Sequence, residues 1–212
     1  ILSALGQKYI DTTSGIIHVP LDVVLVLDIS GSMSVDGDGK RADNLVKAVN
    51  KTITYLMKED ENNRVAVVAY NTKATKILPL GRYYVGSKAD YSNTNSYFSV
   101  SKSSKNDGYK KLDIGKIKNE STNNLTDKAS KSIEVYGATY IQDGIKQGAD
   151  ILINEKTTTY TDSVSGQKVT RTPNILLLSD GCPTLGNSDY KNLPSNKKFG
   201  DGSCCGSENT TD

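Results

Sequence analysis

Residues 28–32 read Asp-Ile-Ser-Gly-Ser and bring one carboxylate and two hydroxyls into a very short stretch of chain. Such oxygens are hard ligands, which suit Mg²⁺, Mn²⁺ or Ca²⁺ and suit zinc poorly. In an extended chain Ser30 and Ser32 would lie ~7 Å apart, whereas oxygens that share a Mg²⁺ ion must lie within ~3 Å of each other. The chain therefore has to curl here, and Gly31 between the serines permits it. The pattern predicts a divalent-cation site.

Two later positions complete a candidate ligand set. Asp180 follows the apolar run 174–178 and supplies a second carboxylate, and Thr139 follows Gly137-Ala138 and supplies a third hydroxyl. Each of these residues also has a simpler interpretation when taken alone. Serine and aspartate are favoured in turns and helix caps, Ser179-Asp180-Gly181 resembles a plain turn, and Thr139 is equally suited to cap a following helix.

The elements that must position these residues are visible as apolar patterns. Residues 23–27 are continuously apolar, and residues 174–178 are apolar after Asn174, which is typical of strands covered on both faces. Residues 64–70 predict another strand, and 76–80 predict an edge strand because they contain Pro79. Two amphipathic helices are indicated by apolar residues three and four apart. Their predicted buried faces are Ala42, Leu45, Val46, Val49, Ile53, Leu56 and Met57 in the first, and Ile141, Ile145, Ala149 and Leu152 in the second.

This order of strands and helices predicts an α/β fold with a doubly wound, mainly parallel sheet flanked by helices. Ligands of such sheets bind at the carboxyl ends of the strands, near the switch in strand order. Asp28 and Asp180 each follow a strongly apolar strand, so the fold should bring them to that edge.

We divide the chain into five parts. Residues 82–135 are polar and weakly periodic, which indicates an inserted arm with short strands near 97–100 and 133–136. Residues 156–172 favour a β-hairpin around Ser165-Gly166. Residues 174–178 read as a central strand with no later strand to pair with, so we expect the domain to be truncated after its fourth core strand. The parts are an N-terminal extension (1–20), a first core segment (21–81), the arm (82–135), a second core segment (136–182) and a loop-like tail or start of a second arm (183–212).

Composition excludes some classes of function. Basic and acidic residues number 26 and 24, which gives no charge signature for nucleic acid or an anionic membrane. No apolar run is long enough to span a bilayer. His18 is the only histidine and precedes the predicted core, so a catalytic triad is disfavoured. The spacing of Cys182, Cys204 and Cys205 matches no zinc pattern and leaves their pairing open.

The set Asp28, Ser30, Ser32, Thr139 and Asp180 resembles the metal-ion-dependent adhesion site of von Willebrand factor type A (vWA) domains. The family pattern is D-x-S-x-S, then a threonine in a glycine-containing loop, then an aspartate after an apolar strand. The resemblance implies that the two serines bind Mg²⁺ (or Mn²⁺ or Ca²⁺) directly. It implies that Thr139 binds directly or through water, that both aspartates act mostly through water, and that one coordination position stays open for a partner's carboxylate.

The long insertion before Thr139 makes the chain similar to the vWA domains of tip adhesins on Gram-positive pili. That resemblance implies a non-enzymatic adhesion module on the cell surface or pilus. Its expected partners are a host or extracellular-matrix protein that supplies Asp or Glu, and other pilus subunits. The arm's tyrosines are candidate contacts, although solvated side chains without a role are an equally good interpretation (Tyr83, Tyr84, Tyr91, Tyr97 and Tyr109).

Two other functions are compatible with parts of the pattern. An intracellular vWA domain that couples to an ATPase would carry the same motif, but the arm and the surface rich in Asn, Ser and Thr argue against it. A phosphatase of the haloacid dehalogenase type would use Asp28 as its nucleophile. Those enzymes need a second acid two residues later, where this chain has Ser30.

Overall fold

A computed structural model describes residues 9–12, 15–35, 40–87, 97–163, 165–181 and 183–184 of the 212-residue chain. The helices of this part are α1 (Ser32–Val35), α2 (Arg41–Glu59) and α3 (Ile141–Ile153). Its strands, in chain order, are β1 (Tyr9–Thr12), β2 (Gly15–His18), β3 (Leu21–Asp28), β4 (Arg64–Tyr70), β5 (Ala74–Gly81), β6 (Tyr83–Tyr84), β7 (Phe98–Lys102), β8 (Lys110–Ile114), β9 (Lys118–Asn119), β10 (Ser132–Val135), β11 (Thr159–Thr161), β12 (Lys168–Thr170) and β13 (Thr172–Leu178).

The central sheet has four described strands in the order β13-β3-β4-β5. The first three run parallel, and β5 pairs antiparallel with β4 at an edge, as Pro79 predicts. Asp28 is paired in register with Tyr70, so β3 and β4 end together. The prediction of an α/β fold with a mainly parallel sheet is confirmed, and β5 contributes the antiparallel pairing in the described part of this sheet.

Helices cover both faces of this sheet, which is why β3 is buried along its whole length. Alternate residues of β3 and β4 pack against α2 on one face and against α3 on the other. The face of α2 that was predicted from its spacing is buried throughout. The two predicted apolar layers on either side of the sheet are therefore present.

The prediction that residues 174–178 are buried on both faces is wrong. The side chains of β13 alternate between half-buried and exposed, and Ile175 and Leu177 are each 38% exposed. Among the described strands only β3 pairs with β13, so no described strand covers its other edge.

The predicted buried face of α3 is also partly wrong, because Ile145 is 40% exposed. The helix contacts the sheet through Gly144 and Gly148, its two buried residues. A Cβ atom on Gly144 would lie 2.6 Å from Cδ1 of Tyr70, so a side chain at this position would clash. The glycines let α3 pack directly on β3 and β4, and the large apolar residues flank this contact.

The described residues of the segment 82–135, which are 82–87 and 97–135, pack closely against α2. They contain two small antiparallel sheets, β6-β9 and β10-β8-β7. Asn50 of α2 donates to the carbonyl of Phe98 and accepts from its N–H, at 2.8 and 3.0 Å, so its amide pairs with the backbone at the start of β7. Several apolar side chains of this segment belong to the same core cluster as α2, among them Tyr97, Phe98, Leu112, Ile114 and Ile117.

The smaller predictions have mixed outcomes. The β11–β12 hairpin around Gly166 is confirmed. The strands β7 and β10 lie within two residues of the predicted positions, and β1 and β2 form an additional hairpin near the N-terminus. No helix in the described residues is long and apolar enough to cross a membrane. The predictions on Cys182, Cys204 and Cys205 fall outside the described residues.

Candidate metal centre

The fold brings the predicted ligands to the carboxyl edge of the central sheet. Asp28 is the last residue of β3, Ser30 lies in the following turn, and Ser32 begins α1. Asp180 follows β13, the neighbouring parallel strand. Parallel neighbours end at the same edge, so Ser32 and Asp180 meet there although they lie 148 positions apart in the chain.

Ser32 is at the centre of this cluster. Its hydroxyl lies 3.1 Å from that of Ser30 and donates a 3.0 Å hydrogen bond to Oδ1 of Asp180. The chain therefore curls between the serines as expected. Ser30 is 1% exposed and Ser32 is half-buried, so the cluster opens to solvent on one side.

Asp28 is completely buried and is held by three donors. The N–H of Ser30 donates to its Oδ1 at 2.9 Å, and the hydroxyls of Ser179 and Tyr70 donate to its Oδ2 at 2.7 and 3.1 Å. Burial raises the pKa of Tyr70 well above its usual value, and the nearby charge of Asp28 adds to this. Tyr70 consequently keeps its proton and remains a hydrogen-bond donor to Asp28.

Thr139 lies on the adjoining loop. The N–H of Gly31 donates to the carbonyl of Gly137 at 2.9 Å, which ties this loop to the turn between the serines. Thr139 is 5% exposed, and its backbone exchanges two hydrogen bonds with Thr184. Within the described chain, no hydrogen bond joins its hydroxyl to the serine–aspartate cluster. The structure thus links four of the five predicted residues directly and places the fifth on the neighbouring loop.

A cation also borders the cluster. Nη1 of Arg41, the first residue of α2, donates to Oδ2 of Asp180 at 2.7 Å. The Arg41 side chain is 43% exposed, so this ion pair contributes little to stability. Its effect is local: the positive charge of Arg41 balances the negative charge of Asp180, one of the two carboxylates at the carboxyl edge of the sheet.

Sequence reasoning missed three residues that position this centre: Tyr70, Ser179 and Arg41. Ser179 immediately precedes Asp180, and Tyr70 ends a predicted strand, so both carried a weak signal of their position. Nothing in the local sequence of Arg41 indicates a contact with a residue 139 positions away.

The tyrosines predicted as partner contacts are mostly unsuitable. Tyr83, Tyr84 and Tyr97 are at most 2% exposed, because they pack in the core, so this part of the prediction is wrong. Tyr91 lies outside the described residues. Tyr109 alone is both described and accessible, and its ring is close to the turn that carries the serines.

The donor set fits a small hard cation. Oxygens on adjacent positions of an octahedral Mg²⁺ ion lie ~3.0 Å apart, close to the spacing of the serine hydroxyls and Asp180. In the described part of the chain, no group of three or more His, Cys, Asp or Glu side chains could hold a metal ion. Any metal held here must therefore depend on hydroxyl oxygens, which disfavours zinc.

Comparison with known proteins places the chain in a family. The family model of the von Willebrand factor type A domain matches residues 22–196. No curated protein is similar enough to count as a match.

The fold is also similar to three solved adhesin structures at low identity. They are the pilus adhesin SpaC from Lactobacillus rhamnosus GG in its open conformation (20% identity, TM-score 0.41), the adhesive tip pilin GBS104 from Group B Streptococcus agalactiae (23%, 0.42) and the pilus adhesin RrgA from Streptococcus pneumoniae (21%, 0.40). Each match covers 78% of this chain but only 15%, 29% and 21% of those chains, respectively. The assignment therefore rests on the family model, which covers most of the chain: this protein belongs to the von Willebrand factor type A domain family.

Proposed function

We propose that this protein is an adhesion module of the cell surface or pilus of a Gram-positive bacterium. It attaches to a host or extracellular-matrix protein when an Asp or Glu of that partner completes the coordination of a divalent cation, with Mg²⁺ the expected ion. The ligands would be Ser30 and Ser32, supported by Thr139, Asp28 and Asp180. Membership of the vWA family and the resemblance of the insertion to tip adhesins support this proposal.

One observation carries the proposal: the hydroxyl oxygen of Ser32 lies about one octahedral edge from the hydroxyl oxygen of Ser30 and also from Oδ1 of Asp180, on a partly open surface. Two of these oxygens are neutral hydroxyls. A cation held mainly by neutral ligands keeps an excess of positive charge and attracts an anionic oxygen strongly. Arg41 adds to this positive charge by neutralising Asp180.

The remaining residues keep the hydroxyls in place. Asp28 accepts from the N–H of Ser30, and this bond holds the turn that brings the two serines together. Its other oxygen accepts from Tyr70 and Ser179, which connect β3 to both neighbouring strands. The turn is therefore preorganised, and the chain loses little conformational freedom when the site is filled.

The phosphatase alternative has less support. A nucleophilic aspartate must reach its substrate, whereas Asp28 is 0% exposed and its carboxylate accepts three hydrogen bonds from the protein. The burial and bonding of Asp28 suit a positioning role.

Adhesion is expected to require the metal and the two later ligand positions. Binding of the purified chain to a panel of immobilised extracellular-matrix proteins should disappear in EDTA and return with Mg²⁺. At saturating Mg²⁺, Thr139→Ala and Asp180→Ala should each lower it at least about tenfold, the size of effect expected when a residue supporting a metal site is lost.

The matched controls are Thr122→Ala and Asp107→Ala, which change exposed residues of the 82–135 segment. They should bind as the parent does, and circular dichroism should show that all four variants are folded. Adhesion that persists undiminished in EDTA would show that another surface attaches to the partner.

A further inference from the structure

We propose that Tyr109 and Tyr136 form an aromatic platform beside the candidate metal centre. An apolar side chain of the partner protein packs on this platform. In the partner's sequence, this apolar residue is adjacent to the acidic residue that reaches the metal. The inference rests on the proposed function and deepens it, because it states which peptide the site selects: an acidic residue adjacent to a bulky apolar one.

Tyr136 belongs to the loop that carries Thr139, and Tyr109, which directly precedes β8, lies against the turn that carries the two serines. Tyr136 directly precedes Gly137, whose carbonyl accepts the hydrogen bond from Gly31. A Cβ atom on Gly31 would lie 3.6 Å from Cε1 of Tyr109 and 3.4 Å from the carbonyl oxygen of Gly137. The turn between the two serines therefore packs against the ring of Tyr109 and the backbone next to Tyr136.

The two tyrosines form a preorganised pair. Their ring centroids are 4.8 Å apart and their planes meet at 81°, an edge-to-face arrangement. Asn71 donates to the carbonyl of Tyr136 at 2.9 Å, which fixes the backbone beneath the ring. Tyr136 is nevertheless 46% exposed. A large aromatic side chain that is held in place yet open to solvent can bury apolar area on binding at a low entropic cost.

The chemistry of the pair favours a peptide with an apolar side chain. Adjacent residues of a peptide are ~3.8 Å apart at their Cα atoms, so an acidic side chain at the metal places its neighbour near these rings. The ring faces offer apolar area. Neither phenol hydroxyl bonds to another residue within the described chain, so both are available to the peptide backbone.

An acidic sugar is the other ligand class that combines a carboxylate with a ring-stacking surface. Its many hydroxyls would need planar amide partners beside the platform. Among the described residues, two side-chain amides near the platform are already used: Asn71 donates to the carbonyl of Tyr136, and Asn106 donates to Glu134 at 3.3 Å. These two amides are therefore not free to pair with sugar hydroxyls, whereas the rings retain the apolar area that suits a side chain.

The test uses the whole chain saturated with Mn²⁺ and three small probes. The probes are the capped peptides Gly-Asp-Leu-Gly and Gly-Asp-Gly-Gly, and glucuronic acid. Paramagnetic broadening of each probe's proton signals by the bound Mn²⁺ reports weak binding, and electron paramagnetic resonance measures the Mn²⁺ affinity separately. The leucine peptide should bind about three- to tenfold more tightly than the glycine peptide, since part of one leucine side chain becomes buried.

Substitutions of Tyr136 distinguish the contribution of its ring to peptide binding from the contribution of the rest of the site. Tyr136→Ala should reduce the ratio of the affinities for the leucine and glycine peptides to about one. Tyr136→Phe should retain the preference for the leucine peptide, because the ring remains. The control is Tyr55→Ala, which removes a tyrosine that is 57% exposed on α2 and should change neither the preference nor the Mn²⁺ affinity.

Each contrary outcome has its own meaning. Equal binding of the two peptides by the parent chain, or a leucine preference that survives in Tyr136→Ala, would overturn the platform alone. Tighter binding of glucuronic acid than of either peptide would replace the peptide with an acidic sugar. If the chain bound no Mn²⁺, or if no carboxylate probe were broadened, the proposed function itself would fail.

Discussion

Replacing Ser30 and Ser32 together by alanine is expected to abolish Mg²⁺ binding as measured by calorimetry. The two hydroxyls lie 3.1 Å apart and are the oxygens best placed to bind a small cation directly. Without them the hydroxyl of Thr139 and the carboxylates of Asp28 and Asp180 remain, and Asp28 is buried and already bonded to three donors. The parent chain should bind one Mg²⁺ ion, and the double variant should give no measurable heat.

The 82–135 segment provides a matched control. Ser101 and Ser132 both donate to Asp113, so Ser101→Ala/Ser132→Ala also removes two serine hydroxyls that contact an aspartate. This control should bind Mg²⁺ as the parent chain does. Equal Mg²⁺ affinity in Ser30→Ala/Ser32→Ala and in the parent would remove the metal centre from this account.

Asp28→Asn is expected to weaken Mg²⁺ binding by about 10–100-fold, the range measured when residues supporting a metal site are replaced. The amide keeps the size of the carboxylate but loses its charge. The amide oxygen can still accept from the backbone of Ser30, while the new NH₂ group faces the hydroxyls of Tyr70 and Ser179. In the opposite orientation of the amide, the NH₂ group faces the N–H of Ser30 and that bond is lost. Titration of the folded variant with Mg²⁺ checks this expectation.

Asp22→Asn controls for a general loss of stability. Asp22 lies near the amino end of β3, whereas Asp28 lies at the carboxyl end of the same strand. Asp22 is 4% exposed and is bonded through both oxygens to Arg64. Loss of this buried charge pair should lower the free energy of unfolding by about 3 kcal/mol. Its Mg²⁺ affinity should nevertheless stay at the parent value. If Asp22→Asn weakened Mg²⁺ binding as much as Asp28→Asn does, the loss of Mg²⁺ affinity in Asp28→Asn would be explained by a general loss of stability.

The central sheet and the cluster at its edge could be predicted because their signals are local. A strand covered on both faces is continuously apolar, and the polar residues that follow it must lie at the sheet edge. Residues 23–27 and 64–70 therefore identified β3 and β4, and the motif at Asp28 identified the turn. Residues 174–178 were correctly predicted to form a strand. Their burial was predicted wrongly, because the covering of an edge strand depends on elements elsewhere in the chain.

The failed predictions concern contacts between distant residues. The spacing of apolar residues placed Ile145 on the buried face of α3, whereas Gly144 and Gly148 face the sheet because Tyr70 and Val26 leave no room for a side chain. The described part of the predicted arm, residues 82–135, also makes contacts with α2 that its sequence does not indicate. Its strands have two to five residues, too few to show a clear alternation, although several of their side chains enter the core cluster of α2.

The turn carrying Ser30 and Ser32 is expected to hold a divalent cation, and anomalous diffraction from crystals grown with Mn²⁺ would locate that ion. One strong anomalous peak should lie ~2.1–2.3 Å from both serine hydroxyls, with a coordination position open to solvent. A peak beside the second serine–aspartate cluster at Asp113, or no peak within bonding distance of Ser30 and Ser32, would contradict it.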